Sequence, residues 1–468
     1  MNDKKTVSFG MALAIIFLPI LVILLGGLVL REGFLVPLMR ATITASLLSI
    51  MAGFTWKEVE ACIVNGVHRI IIVTCILFLV GTLIGVWIQA GVIPLFLYWG
   101  LKLLSPSMFL VSTVLICAVF SLMTGTSFGT IGTAGLALLG VGEALGFPTG
   151  LTAGAIVSGA YFGDKMSPVS DSTNITASVC EVPLFDHILS MLWTTVPAFV
   201  AAGIVYTVLG FSFAQEQTAS LESLNAILSG LEGHFSLDFV AFIPPILMIA
   251  LAYKRFPVLP VMVACLLSAV AIAVYEGVAF NDLAKMMTSG YVSKTGIKQL
   301  DPLLSRGGLL SIMPTVLLLC SGMAFGGILE RSRVLEVLLD AVLKGARSAV
   351  RLVASVLAAA YIINLGTGSQ MLAVIVPGRA FLDSFKKADI SPLVLSRTCE
   401  DAGTIGCPLV PWSVHAFYIA GVLGVSAFDF APYAFLNWFV PIFSILCALT
   451  GFGIWRLNGT PVHGSRKA

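Results

Sequence analysis

SGAYFGDKMSPVSDSTN, residues Ser158–Asn174, is a polar segment inside an otherwise apolar sequence. It contains three charged residues, which are Asp164, Lys165 and Asp171. The apolar runs on either side, Thr124–Val157 and Ile188–Gly210, carry one charge and none, respectively. Charged side chains at membrane depth are costly, usually face a protein interior or a water-filled cavity, and mark ion or substrate pathways. The segment is therefore the first candidate for a functional site.

The composition of the whole chain predicts a membrane protein. Of its 468 residues, 58% are hydrophobic and 11% are charged, and the mean hydropathy is +1.01. Soluble domains carry about 25% charged residues, so this chain lacks the polar side chains needed to cover a surface in water. The 20 uncharged residues of Met11–Leu30 are enough to cross a ~30 Å hydrocarbon core as a helix. We interpret that run as a retained helix rather than a signal peptide.

Several classes of function are disfavoured by features that the sequence lacks. The net charge is +2 and there is no basic stripe with interleaved aromatic residues, so we expect no nucleic-acid partner. The nine cysteines include no CxxC pair and the five histidines are scattered, so we expect no cofactor. Gly125–Gly129 matches the GxSxG pattern of hydrolases, with Ser127 as the nucleophile, but its flanks have the pattern of helices rather than strand–turn–helix. We therefore expect a protein that is not an enzyme.

The distribution of basic residues predicts the orientation in the membrane. Lys and Arg are absent between Met166 and Tyr253, so the acidic loop in that region is expected outside, whereas the basic segment Arg331–Arg351 is expected inside. The same rule places both termini in the cytoplasm, on the basis of five residues: Lys4, Lys5, Arg456, Arg466 and Lys467. The hydropathy pattern predicts an all-α polytopic protein of the bacterial inner membrane, in contact with the lipid bilayer, with about 10–12 membrane segments.

An internal repeat is visible in the glycine pattern. Gly81–Gly85 matches Gly322–Gly326 at an offset of 241, and Gly125-Thr126 matches Gly366-Thr367 at the same offset. A further match, at an offset of 243, pairs Gly163 and Pro168 with Gly406 and Pro411. The first matched helix is expected to run outward and its counterpart inward, so the repeats are predicted to be inverted. Inverted repeats with broken helices are an architecture of secondary transporters, which bind their substrate near the membrane midplane.

These patterns divide the chain into four regions. Residues 1–69 form N-terminal helices and an interfacial helix, 70–211 a first transport repeat, 212–307 linker helices and extracellular loops, and 308–468 a second, inverted repeat. Polar breaks fall in corresponding places of the two repeats: Thr124–Thr130 and Ser158–Asn174 in the first, Asn364–Gln370 and Arg397–Ser413 in the second. Hard cations bind oxygen ligands, and broken helices supply carbonyl and carboxylate oxygens. The breaks therefore predict a small-cation site.

The carboxylates in these breaks have alternative interpretations. Asp164 is either the carrier of the proton and the cation or a structural partner of Lys165, although adjacent helix residues do not face each other. Asp171 either caps the following helix or binds the ion. One of Glu400 and Asp401 is expected to be functional, and Arg397, one turn earlier, is available to neutralise the other. The breaks add hydroxyl, amide and backbone candidates: Gly125, Thr126, Ser127, Asn364, Thr367, Gly368, Ser369 and Thr404. His415 is expected to serve packing.

The stretch Gly154–Asn174 resembles the signature of the NhaC family of sodium/proton antiporters, and the segments TGSQ and EDAGT of the second half fit the same family. The sequence departs from the family pattern after Asn174, where ITASVCEV follows. The resemblance implies two inverted repeats, each with a re-entrant hairpin and a broken helix, and a homodimer. It places six residues in the family signature: Asp164, Ser167, Asp171, Ser172, Thr173 and Asn174.

The resemblance and the residues together predict a secondary transporter that exchanges Na⁺ for H⁺ by alternating access. Na⁺ is expected to bind to Asp164, Asp401 and neighbouring hydroxyls and carbonyls, in competition with H⁺. Because the family includes malate/lactate antiporters, the alternative is a Na⁺- or H⁺-coupled carrier of a small organic anion or amino acid. A membrane-embedded enzyme with Ser127 as nucleophile is a third hypothesis, with no base or metal-ligand spacing to support it.

Overall fold

The computed structural model describes residues 8–30, 32–216, 221–254, 256–298, 300–331, 334, 337–338 and 348–462. The first part of the chain forms helices α1 (Phe9–Leu24), α2 (Leu35–Met51), α3 (Trp56–His68), α4 (Ile71–Gln89), α5 (Val92–Leu103), α6 (Phe109–Thr124), α7 (Ser127–Thr130), α8 (Leu136–Ala144), α9 (Thr149–Met166), α10 (Asp171–Val179) and α11 (Leu184–Glu216). The middle forms α12 (Leu221–His234), α13 (Ile243–Tyr253), α14 (Val258–Tyr275), α15 (Phe280–Ser289), α16 (Asp301–Leu304) and α17 (Leu309–Arg331). The last part forms α18 (Ala349–Thr367), α19 (Gln370–Lys387), α20 (Pro392–Gly406), α21 (Val414–Leu423), α22 (Ala427–Phe430) and α23 (Phe435–Thr450).

The prediction of an all-α polytopic membrane protein is confirmed. Within the ranges just given, seven helices are long and apolar enough to cross a membrane, and the number rises to ten if each bent helix pair is one span. Ten is the lower end of the predicted range. The predicted first span corresponds to α1, which continues through a π turn at Leu25–Val29.

The hairpin-like break after α6 has a counterpart after α18. Both helices end at a glycine in the left-handed conformation, Gly125 with φ 68° and Gly368 with φ 63°. An extended N-cap residue then starts the next helix, Thr126 in the first case and Ser369 in the second. A left-handed φ is readily adopted by glycine but strained for other residues. The structural equivalent of Gly125 is thus Gly368 rather than the predicted Gly366.

The second pair of breaks interrupts longer helices. The backbone leaves α9 at Ser167 and resumes at α10 after the N-cap Ser170. The helical segment that contains α20 ends at Leu409 and is bent by 47° from α21. Each half therefore contains a glycine-capped break followed by a broken helix, in the same chain order. That the two halves are inverted relative to each other stays a prediction, as do the four regional boundaries.

Close helix packing positions the end of α9. Helix α9 lies against α6, and the backbone of α6 occupies the space beside Gly159 and Gly163 where a side chain would stand. The second-half helix α20 packs on α9, α10, α11, α18 and α19. The C-terminal end of α9, with Asp164 and Lys165, is therefore enclosed by helices of both halves.

Most of the basic residues from which the membrane orientation was predicted lie outside the described ranges. Lys4, Lys5, Arg466 and Lys467, used for the cytoplasmic termini, are among them, as is most of the basic stretch between Arg331 and Arg351. The prediction of the termini therefore stays a prediction.

Candidate functional site

Asp164 lies in the last turn of α9 and is held by two serine hydroxyls. Ser127 Oγ donates to Asp164 Oδ2 over 2.7 Å, and Ser170 Oγ donates to Oδ1 over 2.6 Å. The glycine-capped turn after α6 brings Ser127 to this carboxylate, and the break after α9 brings Ser170. Asp164 is 7% exposed. The two polar breaks of the first half thus converge on one carboxylate.

Asp164 has no basic partner among the residues that the structure describes. Its chain neighbour Lys165 turns away from it, as expected for adjacent helix positions. Lys165 Nζ donates instead to Asp401 Oδ1 and, over 2.8 Å, to Thr195 Oγ1. The structure therefore contradicts the alternative in which Asp164 and Lys165 form a structural pair.

A cavity of about 950 Å³ extends from Asp164. Seven of the predicted site residues line it: Gly125, Thr126, Ser127, Asp164, Asp171, Ser172 and Asn174. Asp171 is exposed and is the first residue of α10, where a carboxylate is favoured by the partial positive charge of the helix N-terminus. The N-cap position belongs to Ser170, so Asp171 does not cap the helix in the predicted manner.

The other predicted residues of the first half hold the break in shape. Ser167 Oγ donates to the carbonyl of Leu122 over 2.8 Å, and Thr173 Oγ1 donates to the carbonyl of Lys165 over 2.9 Å. Asn174 Nδ2 donates to the carbonyl of Ser170 over 2.7 Å. The bond from Thr173 satisfies a carbonyl at the C-terminal end of α9, and the bond from Ser167 does the same at the end of α6, where helices leave carbonyls without partners.

Glu400 and Asp401 are both buried and occupy different environments. Glu400 accepts one hydrogen bond, from Thr176 Oγ1 over 2.6 Å, and its Oε2 has no partner. Asp401 Oδ1 accepts from Lys165 and, over 2.9 Å, from Thr194 Oγ1, whereas its Oδ2 has no partner. Neither residue lines the cavity. Of the two, Glu400 is the carboxyl group without a basic partner among the described residues.

The predicted residues of the second glycine-capped break make local contacts. Asn364 Nδ2 donates to the carbonyls of Ala402 and Gly403 over 3.0 Å, and its Oδ1 is buried without a partner. Thr367 Oγ1 donates to the carbonyl of Ile363, and Ser369 caps α19. Asn364 therefore contacts α20, Thr367 and Ser369 bond within α18 and α19, and none of these bonds is to Asp164.

Three residues of the second half, Gln370, Met371 and His415, line the cavity without having been predicted as ligands. Gln370 lines it and donates from Nε2 to Thr404 Oγ1 over 3.1 Å. His415 also lines it, with its ring 4.7 Å from that of Phe128 and its Nδ1 bonded to the Tyr161 hydroxyl. Gln370 closes the quoted break, so its position was a usable signal. Nothing in the apolar sequence 256–261 indicated that it forms a wall of the same cavity.

The described residues contain no group of three or more His, Cys, Asp or Glu side chains placed to hold a metal ion. The oxygen atoms at this place belong to serine hydroxyls and to the Asp164 carboxylate, and oxygen is the ligand atom that hard cations prefer.

The chain is similar in sequence to known antiporters over most of its length. The profile of the Na⁺/H⁺ antiporter family matches residues 159–452. The chain is 36% identical to the Na⁺/H⁺ antiporter NhaC of Alkalihalophilus pseudofirmus, over 97% of this chain and 98% of that protein. It is 36% identical to the malate-2H⁺/Na⁺-lactate antiporter of Bacillus subtilis, over 90% of each chain. It is also 32% identical to the arginine/ornithine antiporter ArcD of Halobacterium salinarum, over 97% of this chain and 94% of that protein.

Proposed function

This chain belongs to the Na⁺/H⁺ antiporter family, and we propose on that premise that it exchanges Na⁺ for H⁺ across the inner membrane by alternating access. The observation that carries the proposal is the state of Asp164. Its carboxylate is buried, faces a cavity, accepts hydrogen bonds from Ser127 and Ser170 and has no basic partner among the described residues. A buried ionised carboxylate without a counter-charge costs several kcal/mol. Binding either H⁺ or Na⁺ removes that cost, so the two ions compete for one group.

The serine hydroxyls suit both states of the carboxylate. A hydroxyl carries one donor and two acceptor lone pairs, and its hydrogen rotates freely. Ser127 and Ser170 donate to Asp164 in this structure. When Na⁺ occupies the site, rotation of these hydroxyls turns their lone pairs toward the ion. The same side chains then act as neutral ligands beside the charged one.

An organic solute is the second candidate, supported by the size of the cavity and by the malate-2H⁺/Na⁺-lactate relative. A cavity of about 950 Å³ lies at the upper end of the range for small-molecule sites. Its described lining contains two carboxylates, Asp164 and Asp171, and no Lys or Arg. This charge favours a cation over an organic anion as the first species to enter.

Na⁺ alone is expected to drive proton movement in everted membrane vesicles or proteoliposomes. With a preformed pH gradient and an acridine dye as reporter, NaCl should dissipate the gradient in the absence of any organic solute, whereas choline chloride should not. The half-saturating Na⁺ concentration should rise as the pH falls, because H⁺ occupies Asp164. Dissipation that requires malate, lactate or an amino acid would contradict Na⁺/H⁺ exchange and favour the organic-solute carrier.

The proposal extends to the finer features of the protein. It includes cytoplasmic termini, a homodimer and the absence of enzymatic activity. Ser127 is assigned to the ion site, because it donates to Asp164 and because a helix, α6, precedes it where a nucleophile elbow has a strand.

A further inference from the structure

Two basic side chains are completely buried behind the cavity. Lys165 near the end of α9 and Arg397 in α20 are both 0% exposed. A buried charge is tolerated only when it is paired and hydrogen-bonded. Because Lys165 is the chain neighbour of Asp164, the partner that holds its ammonium group affects the electrostatic environment of the Asp164 carboxylate.

Lys165 is paired directly with Asp401. Their side chains form an ion pair between α9 and α20, and both are 0% exposed. Threonines of α11 complete the junction, because Thr195 Oγ1 accepts from Lys165 over 2.8 Å and Thr194 Oγ1 donates to Asp401 over 2.9 Å. The ion pair thus joins the first half of the chain to the second.

The buried guanidinium of Arg397 has hydrogen-bond donors without partners. Its Nη1 donates to the carbonyls of Ser190 and Gly453, over 3.4 and 3.0 Å, whereas Nε and Nη2 have no partner. Asp401 lies four residues later on the same helix, a spacing that puts two side chains on one face. Asp401 Oδ2 has no partner either, so buried donors and a buried acceptor without partners lie on the same face of α20.

Resting on the proposed function, we infer that Asp401 is a positioning residue: it is the shared counter-charge of Lys165 and Arg397, and it keeps the Lys165 ammonium away from Asp164. Glu400 and Asp164 are the neighbouring carboxylates without a basic partner among the described residues. An ammonium released from Asp401 has these two groups to move toward. At Asp164 it places a fixed positive charge in the Na⁺ site, and Na⁺ is repelled.

The inference predicts an ordered effect of three variants. In Asp401→Asn both buried cations lose their carboxylate, and the half-saturating Na⁺ concentration should rise by about tenfold or more. In Lys165→Met, Asp401 keeps Arg397 as a counter-charge, so the protein should fold and bind Na⁺ more tightly than Asp401→Asn. The double variant Lys165→Met/Asp401→Asn has the wild-type net charge at this junction, so it should recover most of the lost Na⁺ affinity.

The measurement is the Na⁺ concentration dependence of exchange in proteoliposomes, with gel filtration in detergent to verify folding. Recovery in the double variant supports the inference, because a ligand cannot be replaced by removing its partner. A double variant as impaired as Asp401→Asn would overturn it and make Asp401 a cation ligand. If Asp401→Asn does not fold, Lys165→Met and the double variant provide the test. Na⁺ binding by both variants then supports the inference. Failure of Lys165→Met to fold or to bind Na⁺ overturns it. Absence of Na⁺/H⁺ exchange in the wild-type protein would instead refute the proposed function.

Discussion

Replacing Asp164 by Asn is expected to abolish Na⁺-driven proton movement while the protein still folds. Asparagine has nearly the same size, and its side-chain carbonyl still accepts a hydrogen bond from Ser127 or Ser170. It carries no negative charge and binds no proton near neutral pH, so it cannot alternate between H⁺ and Na⁺. The measurement is dissipation of a pH gradient by NaCl in vesicles, with the amount of inserted protein determined in the same preparation.

A matched control separates the site from a general loss of acidic residues. Asp282 lies on α15, where its side chain is 56% exposed and pairs with Lys285 over 3.3 Å. Exposed ion pairs contribute little to stability, so Asp282→Asn should exchange ions at the wild-type rate. Wild-type exchange by Asp164→Asn itself would show that the proton and the cation bind elsewhere.

The second large effect is expected from Gly163, which lets α9 approach α6. A Cβ at this position would lie 2.6 Å from the Ala118 carbonyl oxygen and closer still to the Leu122 amide nitrogen. Both are backbone atoms of α6, so Gly163→Ala requires the two helices to separate. Overpacking of this kind typically costs about 1–3 kcal/mol. It also displaces Asp164, the next residue, from Ser127, so exchange should fall together with the thermal midpoint in detergent.

Gly203 provides the comparison for this substitution. It lies within α11, and apart from its chain neighbours and the backbone of its own helix no atom comes within 4 Å of its ideal Cβ position. Alanine is a better helix former than glycine by roughly 1 kcal/mol, so Gly203→Ala should leave the thermal midpoint unchanged or raise it. A Gly163→Ala protein as stable and as active as Gly203→Ala would contradict the packing of α6 against α9.

The sequence predicted the fold class and the carboxylate of the site for local reasons. Apolar runs identify spans by length and composition alone, and the polar segment around Asp164 stood out against them. The turn that brings Ser127 to Asp164 begins at a glycine, which the sequence also marked. These signals depend on neighbours in the chain.

Contacts between segments that are distant in the chain could not be predicted from such local signals. Lys165 and Asp401 are separated by 236 positions, and nothing local to either residue indicates the other as its partner. The expectation that Arg397 neutralises an acidic neighbour rested on helix spacing, which gives a shared face but does not select a partner. Likewise, the match of Gly125 with Gly366 followed letter identity, whereas backbone conformation aligns Gly125 with Gly368. Tertiary packing decides each of these cases.

Competition between Na⁺ and H⁺ at Asp164 is the central claim, and proton release by the purified protein tests it most directly. Metal binding to a protonated ligand releases the proton. Addition of NaCl to wild-type protein in weakly buffered detergent solution, at a pH where Asp164 is protonated, should therefore release about one proton per bound Na⁺. Asp164→Asn should release none, and choline chloride should release none from either protein. Na⁺ binding to the wild type without proton release, or equal release from Asp164→Asn, would contradict the account.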